Sequence, residues 1–212
     1  MKFLVTAGPT REFLDPVRFL SNPSTGRMGF AIAKAAKEAG HEATIVAGPT
    51  PLKEPRGVRR VDVVSAREML AAVEAEDFDC LVAAAAVADW RPASRSPVKL
   101  KKGSMEGSLR LVRNPDVLKT VSEKLRREGK RKILIGFAAE TGDPVPEALR
   151  KCREKGLDLV VANDVSAEGS GFGVATNAVT FVRPDGSVRR FPTLSKETVA
   201  RKIVAAACGF VV

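Results

Sequence analysis

Lys2-Phe3-Leu4-Val5-Thr6-Ala7-Gly8-Pro9-Thr10, followed by Ser21-Asn22-Pro23-Ser24-Thr25-Gly26-Arg27-Met28-Gly29 and a helical run, decides the fold of this chain. A short apolar run that ends at a glycine turn and leads through a glycine-containing loop into a helix is the first βα unit of a nucleotide-binding α/β fold. N–H groups at a helix start lack partners within the helix and carry the positive end of its dipole, so an anion is expected there. The G-x-G-x-x-G dinucleotide fingerprint is missing, because a polar insert separates Gly8 from Gly26 and Gly29. The next strand, Glu42 to Pro49, also ends without the acid that holds the ribose 2′-OH of NAD. The pattern is Rossmann-like and stops short of a dehydrogenase.

Outward from that unit, the 212 residues and an apolar content of 44% suffice for one large α/β domain, and a single domain over residues 1–212 is expected. No apolar run approaches the roughly eighteen residues of a membrane span, and no charged-then-apolar leader precedes the first strand, so a cytosolic protein without membrane contact is expected. Cys80, Cys152 and Cys208 are odd in number and lack metal-ligand spacing, which reads as reduced structural thiols. His41 stands alone at a strand start. The net charge of +10 calls for anionic company, but 5% aromatic residues and no tyrosine leave few rings for base stacking. Small phosphorylated molecules fit better than nucleic acid. The alternative is that Lys119, Lys124, Arg126, Arg127 and Lys130 simply solvate helix faces.

Along the chain, Met28 to Ala39 reads as a helix stopped by Gly40, Ala43 to Ala47 as the second strand, and Val58 to Val64 as the third. Ser65-Ala66-Arg67-Glu68 matches a capping box opening a helix to about Glu76. Asp79 to Asp89 lacks alternation, which predicts one strand buried on both faces. Its alanines would let a flat ligand approach the backbone, and Asp89 would stand at the strand's carboxyl end. From about 90 to 113 the pattern leaves the sheet. Val98-Lys99-Leu100-Lys101-Lys102 and Ser108 to Val112 read as a short hairpin around Gly103 and Gly107, either an arm over a triphosphate or a solvated loop. Asn114-Pro115-Asp116 predicts a helix capped by Asn114 and running to about Arg127. Lys132 to Glu140 and Leu157 to Asn163 read as parallel strands. Between them Val145 to Lys155 forms a helix with Lys151 and Lys155 on one face. Pro184-Asp185-Gly186 joins a hairpin, and Ser195 caps a last helix.

Thr6 to Glu12, Leu14 to Arg18, Ser21-Asn22 with Gly26 and Met28-Gly29, Ala85 to Asp89, Lys99 to Lys102, Asn114 to Asp116, Gly136 to Thr141 and Ala162 to Asp164 together resemble the phosphopantothenoylcysteine synthetase family. The resemblance covers nearly the whole chain in order. It implies ligation of 4′-phosphopantothenate to L-cysteine through an acyl-nucleotidylate. The reaction would use a nucleoside triphosphate, CTP more than ATP, with Mg²⁺ offsetting anionic repulsion. It implies Asn22 as the catalytic asparagine and Arg18 as a substrate-anion contact. Nucleotide contacts would come from Ala83, Ala84, Ala85, Asp89, Lys99, Pro115, Asp116, Val117, Leu118, Phe137, Lys151 and Lys155, with no protein metal ligand. It further implies a homodimer with the arm reaching across. A phosphopantothenoylcysteine decarboxylase would be fused or separate, so the chain is expected to be either a stand-alone synthetase or the excised carboxyl-terminal domain of a fusion. Trp90 and Gly156 depart from the family's usual Tyr and Asn. The rival reading, an NAD(P)-dependent reductase, lacks the ribose acid, the compact glycine turn and any tyrosine for a Tyr-Lys pair.

Overall fold

The computed structural model describes residues 1–101, 107–164 and 176–210. In chain order they form β1 (Lys2–Ala7), β2 (Arg11–Phe13), β3 (Phe19–Ser21), α1 (Arg27–Glu38), β4 (Glu42–Ala47), β5 (Arg59–Asp62), α2 (Ala66–Ala75), β6 (Cys80–Ala83), β7 (Trp90–Pro92) and β8 (Leu111–Arg113). Then follow α3 (Val117–Arg127), β9 (Ile133–Glu140), α4 (Val145–Lys155), β10 (Leu159–Asp164), β11 (Thr176–Val182), β12 (Val188–Ser195) and α5 (Lys196–Cys208).

The main sheet has eight strands in the order β5-β4-β1-β6-β9-β10-β11-β12. Pairings from β5 to β10 are parallel, and β11 and β12 add an antiparallel edge. Winding reverses at β1, so the switch point lies between β1 and β6, where open α/β sheets bind ligands outside the carboxyl ends of their strands.

β1 shows why its apolar run does not alternate. Phe3 and Val5 pack with Ile32 of α1 and Ile203 of α5, whereas Leu4 packs on the opposite face with Met69 of α2 and Leu81. Burying each such side chain is worth about 1.5–3 kcal/mol. An exposed ion pair is worth about 0–1, so the two cores, not surface charge, fix the sheet. α1 lies very close to β1: a Cβ on Gly29 would stand 2.6 Å from the Ala7 Cβ and 2.9 Å from the Thr6 carbonyl oxygen. Gly26 precedes α1 at φ 82°, a left-handed conformation that disfavours other residues.

Several expected features are present. Ser65 accepts from Glu68 N, and the Glu68 carboxylate accepts from Val64 N at 2.7 Å. Gly156 closes α4 in a left-handed conformation, the 183–187 turn joins β11 to β12, and Ser195 caps α5. Among the described residues no helix is long and apolar enough to cross a membrane.

Three expectations are corrected. The alanine run is not one strand: β6 ends at Ala83, after which the backbone turns away to bond the loop beyond β1. Asp89 therefore stands in the connection before β7, exposed, not at a strand's carboxyl end. The excursion's paired strands are β7 and β8, with Trp90 opposite Arg113, not the segments around Lys99 and Ser108. Lys99 instead lies in an irregular stretch, and Lys102 and Gly103 lie outside the described residues. Finally, α3 is capped by Asp116, which accepts from Lys119 N at 3.0 Å. Asn114 is withdrawn from capping because its amide donates to the Ala88 carbonyl at 2.8 Å.

Candidate active site

The crevice is assembled where β6 gives way to the alanine loop. Gly8 O accepts from Ala86 N at 2.9 Å, and the buried hydroxyls of Thr6 and Thr10 accept from Ala85 N at 3.2 Å and Ala88 N at 3.0 Å. These bonds redirect Ala84 to Ala88 off the sheet and across the end of β1. Asn22 hangs over the same loop, donating its amide nitrogen to the carbonyls of Ala86 and Val87 at 3.2 Å each. On the other side, α1 opens without a side-chain cap and without an acidic residue in its first turn. Between the two lies a 160 Å³ cavity lined by Gly26, Arg27, Ala84, Ala85, Phe137 and Lys196. That volume is large enough for only part of a ligand the size of a nucleotide.

The sequence singled out Ala84, Ala85 and Phe137, which the fold gathers here, and Asn22, which bonds the same loop. Ala83, the last residue of β6, is half-buried and packs toward the opposite core. Asn163, Asn177 and Lys196 also line the cavity and were not singled out as site residues. Their signal was positional. Asn163 is near the carboxyl end of a parallel strand, and Lys196 follows a recognisable helix cap.

A second cluster holds the excursion. Asp15 has no exposed surface; its carboxylate accepts from the N–H groups of Val17 and Arg18 at 2.8 Å, from Leu100 N at 3.1 Å, and from the Arg18 guanidinium at 2.6 Å. Burial alone would raise the pKa of this carboxyl, but Arg18 and the three N–H groups outweigh it and hold the group well below the usual carboxylate range. Arg18 also donates to the Leu100 carbonyl at 2.8 Å. It thus clamps the segment bearing the exposed Lys99. At the excursion's root, Asp89 O accepts from Asn114 N at 2.8 Å, and Arg91 donates to Asn114 Oδ1 and to the Arg113 carbonyl.

The start of α3 forms a third group. Val117 and Leu118 bury their side chains in the core, so only their backbone can face a ligand. Asp116 Oδ2 lies 2.7 Å from Lys155 Nζ. Burial would raise the Asp116 pKa, yet the Lys155 ammonium keeps it low. Lys151 pairs with Glu140 at 2.9 Å and Glu147 at 3.6 Å. Pro115 immediately precedes the cap.

The remaining candidates lie elsewhere. Cys80 and Cys152 are buried, and burial pushes both thiols up, Cys152 to about 11. His41 stacks on Phe3 and meets Cys208 Sγ at 3.2 Å. Among the described residues no three His, Cys, Asp or Glu side chains could hold a metal together. A larger cavity, 410 Å³, sits under the β11–β12 hairpin beside Phe181, Arg183, Phe191 and Lys202. Register places it toward the amino ends of the parallel strands, since Phe181 pairs with Val161 and Val182 with Val160.

Fold and crevice define a Rossmann-like α/β protein with a crevice beside the switch between β1 and β6. The chain belongs to the family of the DNA/pantothenate metabolism flavoprotein C-terminal domain, whose model matches residues 1–210. It is 45% identical over 205 residues to the coenzyme A biosynthesis bifunctional protein CoaBC of Vibrio vulnificus (strain YJ016), covering 95% of this chain and 50% of that protein. The CoaBC protein of Bacillus subtilis (strain 168) is 44% identical over 204 residues, covering 95% and 49%. Among solved structures, the crystal structure of the C-terminal domain of a CoaBC protein aligns with TM-score 0.80 and 41% identity, covering 97% of this chain and 92% of that one. The chain thus spans about half the length of the curated relatives it matches.

Proposed function

We propose that this chain acts as a single phosphopantothenoylcysteine synthetase domain, joining 4′-phosphopantothenate to L-cysteine at the expense of a nucleoside triphosphate, with CTP preferred to ATP. In the first step a carboxylate oxygen of phosphopantothenate bonds to the α-phosphorus, and the bond to the β-phosphate oxygen breaks, releasing pyrophosphate. In the second, the cysteine nitrogen bonds to the acyl carbon, the nucleoside monophosphate leaves with the electron pair of the broken C–O bond, and the amine gives up a proton.

Family membership and the crevice support this reading, and the observation that carries it is Asn22. A neutral amide, held over the alanine loop by two backbone carbonyls, can approach an acyl phosphate without adding charge. A carboxylate at this position would face both those carbonyls and the anionic intermediate. Phosphates would meet the open start of α1, Phe137 would lie by the base, and the backbone of Ala83, Ala84 and Ala85 would pass beneath the nucleotide. Lys99 would close over the triphosphate while Arg18 keeps its segment in place and contacts the substrate anion. Asp89, Pro115, Asp116, Val117, Leu118, Lys151 and Lys155 would form the outer wall, with the two lysines exchanging carboxylate partners for ligand. Mg²⁺, which binds through few carboxylates and substrate phosphates, would enter on the triphosphate's own oxygens.

The proposal extends to a cytosolic homodimer in which the excursion of one protomer reaches its partner, and to a phosphopantothenoylcysteine decarboxylase acting on the product. The test is turnover by purified protein supplied with phosphopantothenate, cysteine and either CTP or ATP. Expected is one amide product, one monophosphate and one pyrophosphate per cycle, with the higher kcat/KM for CTP. No amide with either nucleotide overturns the reading.

A further inference from the structure

α5 begins where the antiparallel edge returns the chain to the crevice. Ser195, the last residue of β12, pairs with Thr176 at the start of β11, and β11 runs against β10. The start of α5 therefore reaches the rim formed by the carboxyl ends of the parallel strands. Ser195 accepts from Thr198 N at 3.2 Å, leaving Lys196 as the first helical residue.

Lys196 is only 6% exposed, yet it lines the crevice beside Gly26, Arg27 and Phe137. It also borders a 320 Å³ outer cavity that carries Arg27, Lys34 and Lys53. Burial lowers the proton affinity of its amine, the Arg27 charge lowers it further, and Glu197 only partly opposes them. Arg27 and Lys196 also occupy the first turns of α1 and α5, the dipole ends that favour anions over cations. Two cations therefore converge on one crevice from the starts of α1 and α5.

We propose that Lys196, with Arg27, binds the polyphosphate end of the nucleotide, extending the phosphate site from α1 onto α5. The identity of the ligand as a nucleotide rests on the synthetase reading. The nucleotide, not phosphopantothenate, is the phosphate-bearing ligand assigned here because Lys196 shares its cavity with Gly26 and Phe137, whereas Arg18, the residue given to the substrate anion, stands at the excursion. When the bond between the α-phosphorus and the bridging oxygen breaks, the electron pair leaves with pyrophosphate, and the charge gained there faces the Lys196 ammonium.

The full chain carrying Lys196→Met and, separately, Lys196→Arg tests this. Met removes the charge-assisted bond, so the nucleotide KM and the calorimetric Kd for inorganic pyrophosphate should each rise about tenfold or more. The KM values for phosphopantothenate and cysteine should stay within about twofold, which a diffuse structural defect would not do. Lys196→Arg should restore most of the pyrophosphate affinity. Nucleotide and pyrophosphate parameters unchanged in Lys196→Met overturn the inference, as does a rise confined to phosphopantothenate. Lys196→Gln replaces Lys196→Met should the latter not fold, and loss of fold in both also overturns it. If the parent forms no amide but binds pyrophosphate through Lys196, the synthetase reading fails and the phosphate site stands; an active parent with an indifferent Lys196 gives the reverse.

Discussion

At the crevice, Ala84 to Ala88 is fastened to the loop after β1 by backbone and threonine bonds from Gly8, Thr6 and Thr10. Among the described residues, the excursion from Trp90 to Arg113 is fastened at its root by the β7–β8 pair and farther out by Ser96 N donating to the Leu14 carbonyl, by Arg95 over the Phe13 ring, and by a clamp in which Asp15 and Arg18 together grip Leu100. The first region offers mostly main chain and small side chains on a rigid sheet end, and the second offers lysines on a tether. A reaction that first aligns two anions and then admits a third reactant can use both: a fixed surface for the nucleotide and a releasable cationic cover.

The sharpest break of this contrast is Asn22→Asp. A carboxylate cannot donate to Ala86 and Val87, so amide formation should fall about 100-fold or more. Pyrophosphate release should persist and the acyl-nucleotidylate accumulate. Rapid-quench sampling with mass spectrometry reads both, and unchanged amide formation removes Asn22 from the site. Next, Gly29→Ala drives a Cβ into Ala7 and the Thr6 carbonyl. Overpacking there should cost about 1–3 kcal/mol in denaturant unfolding.

On the tether, Asp15→Asn should leave the fold intact but loosen the clamp, raising the nucleotide KM about threefold to tenfold and exposing the Lys99 segment to proteolysis. The pH dependence has a definite sign. The folded carboxyl of Asp15 lies below its unfolded value of about 4. Its contribution is therefore complete above that pH and is lost as pH falls further, and protection of the segment in the parent should decline on acidification in a way Asp15→Asn does not show. The smallest effect belongs to Lys155→Met. Its partly exposed pair with Asp116 should change stability by less than about 1 kcal/mol, while nucleotide turnover falls.

Much of the sheet was legible because strands buried on both faces read as unbroken apolar runs and glycines mark helix ends, as at Gly26, Gly40 and Gly156. The misread elements share a cause. Ala84 to Ala88 is apolar enough for a strand, but whether it stays in the sheet depends on Thr6 and Thr10, which are remote in sequence. Asn114 has the chemistry of a cap, yet Ala88 competes for its side chain, and Asp116 takes the role. Lysines alternating around Leu100 suggested a strand until the buried Asp15 claimed the Leu100 N–H. Lys196 escaped notice because nothing local says that a lysine after a serine cap is buried; the turn back through β11 and β12 puts it at the crevice.

The central claim is that the nucleotide lies at the switch between β1 and β6. A crystal structure of the Asn22→Asp protein with phosphopantothenate and CTP should show the nucleotide phosphates between the Gly26–Met28 helix start and Ala84–Ala86, with the base beside Phe137. Density for the nucleotide in the 410 Å³ cavity under the β11–β12 hairpin, with the crevice vacant, would contradict it.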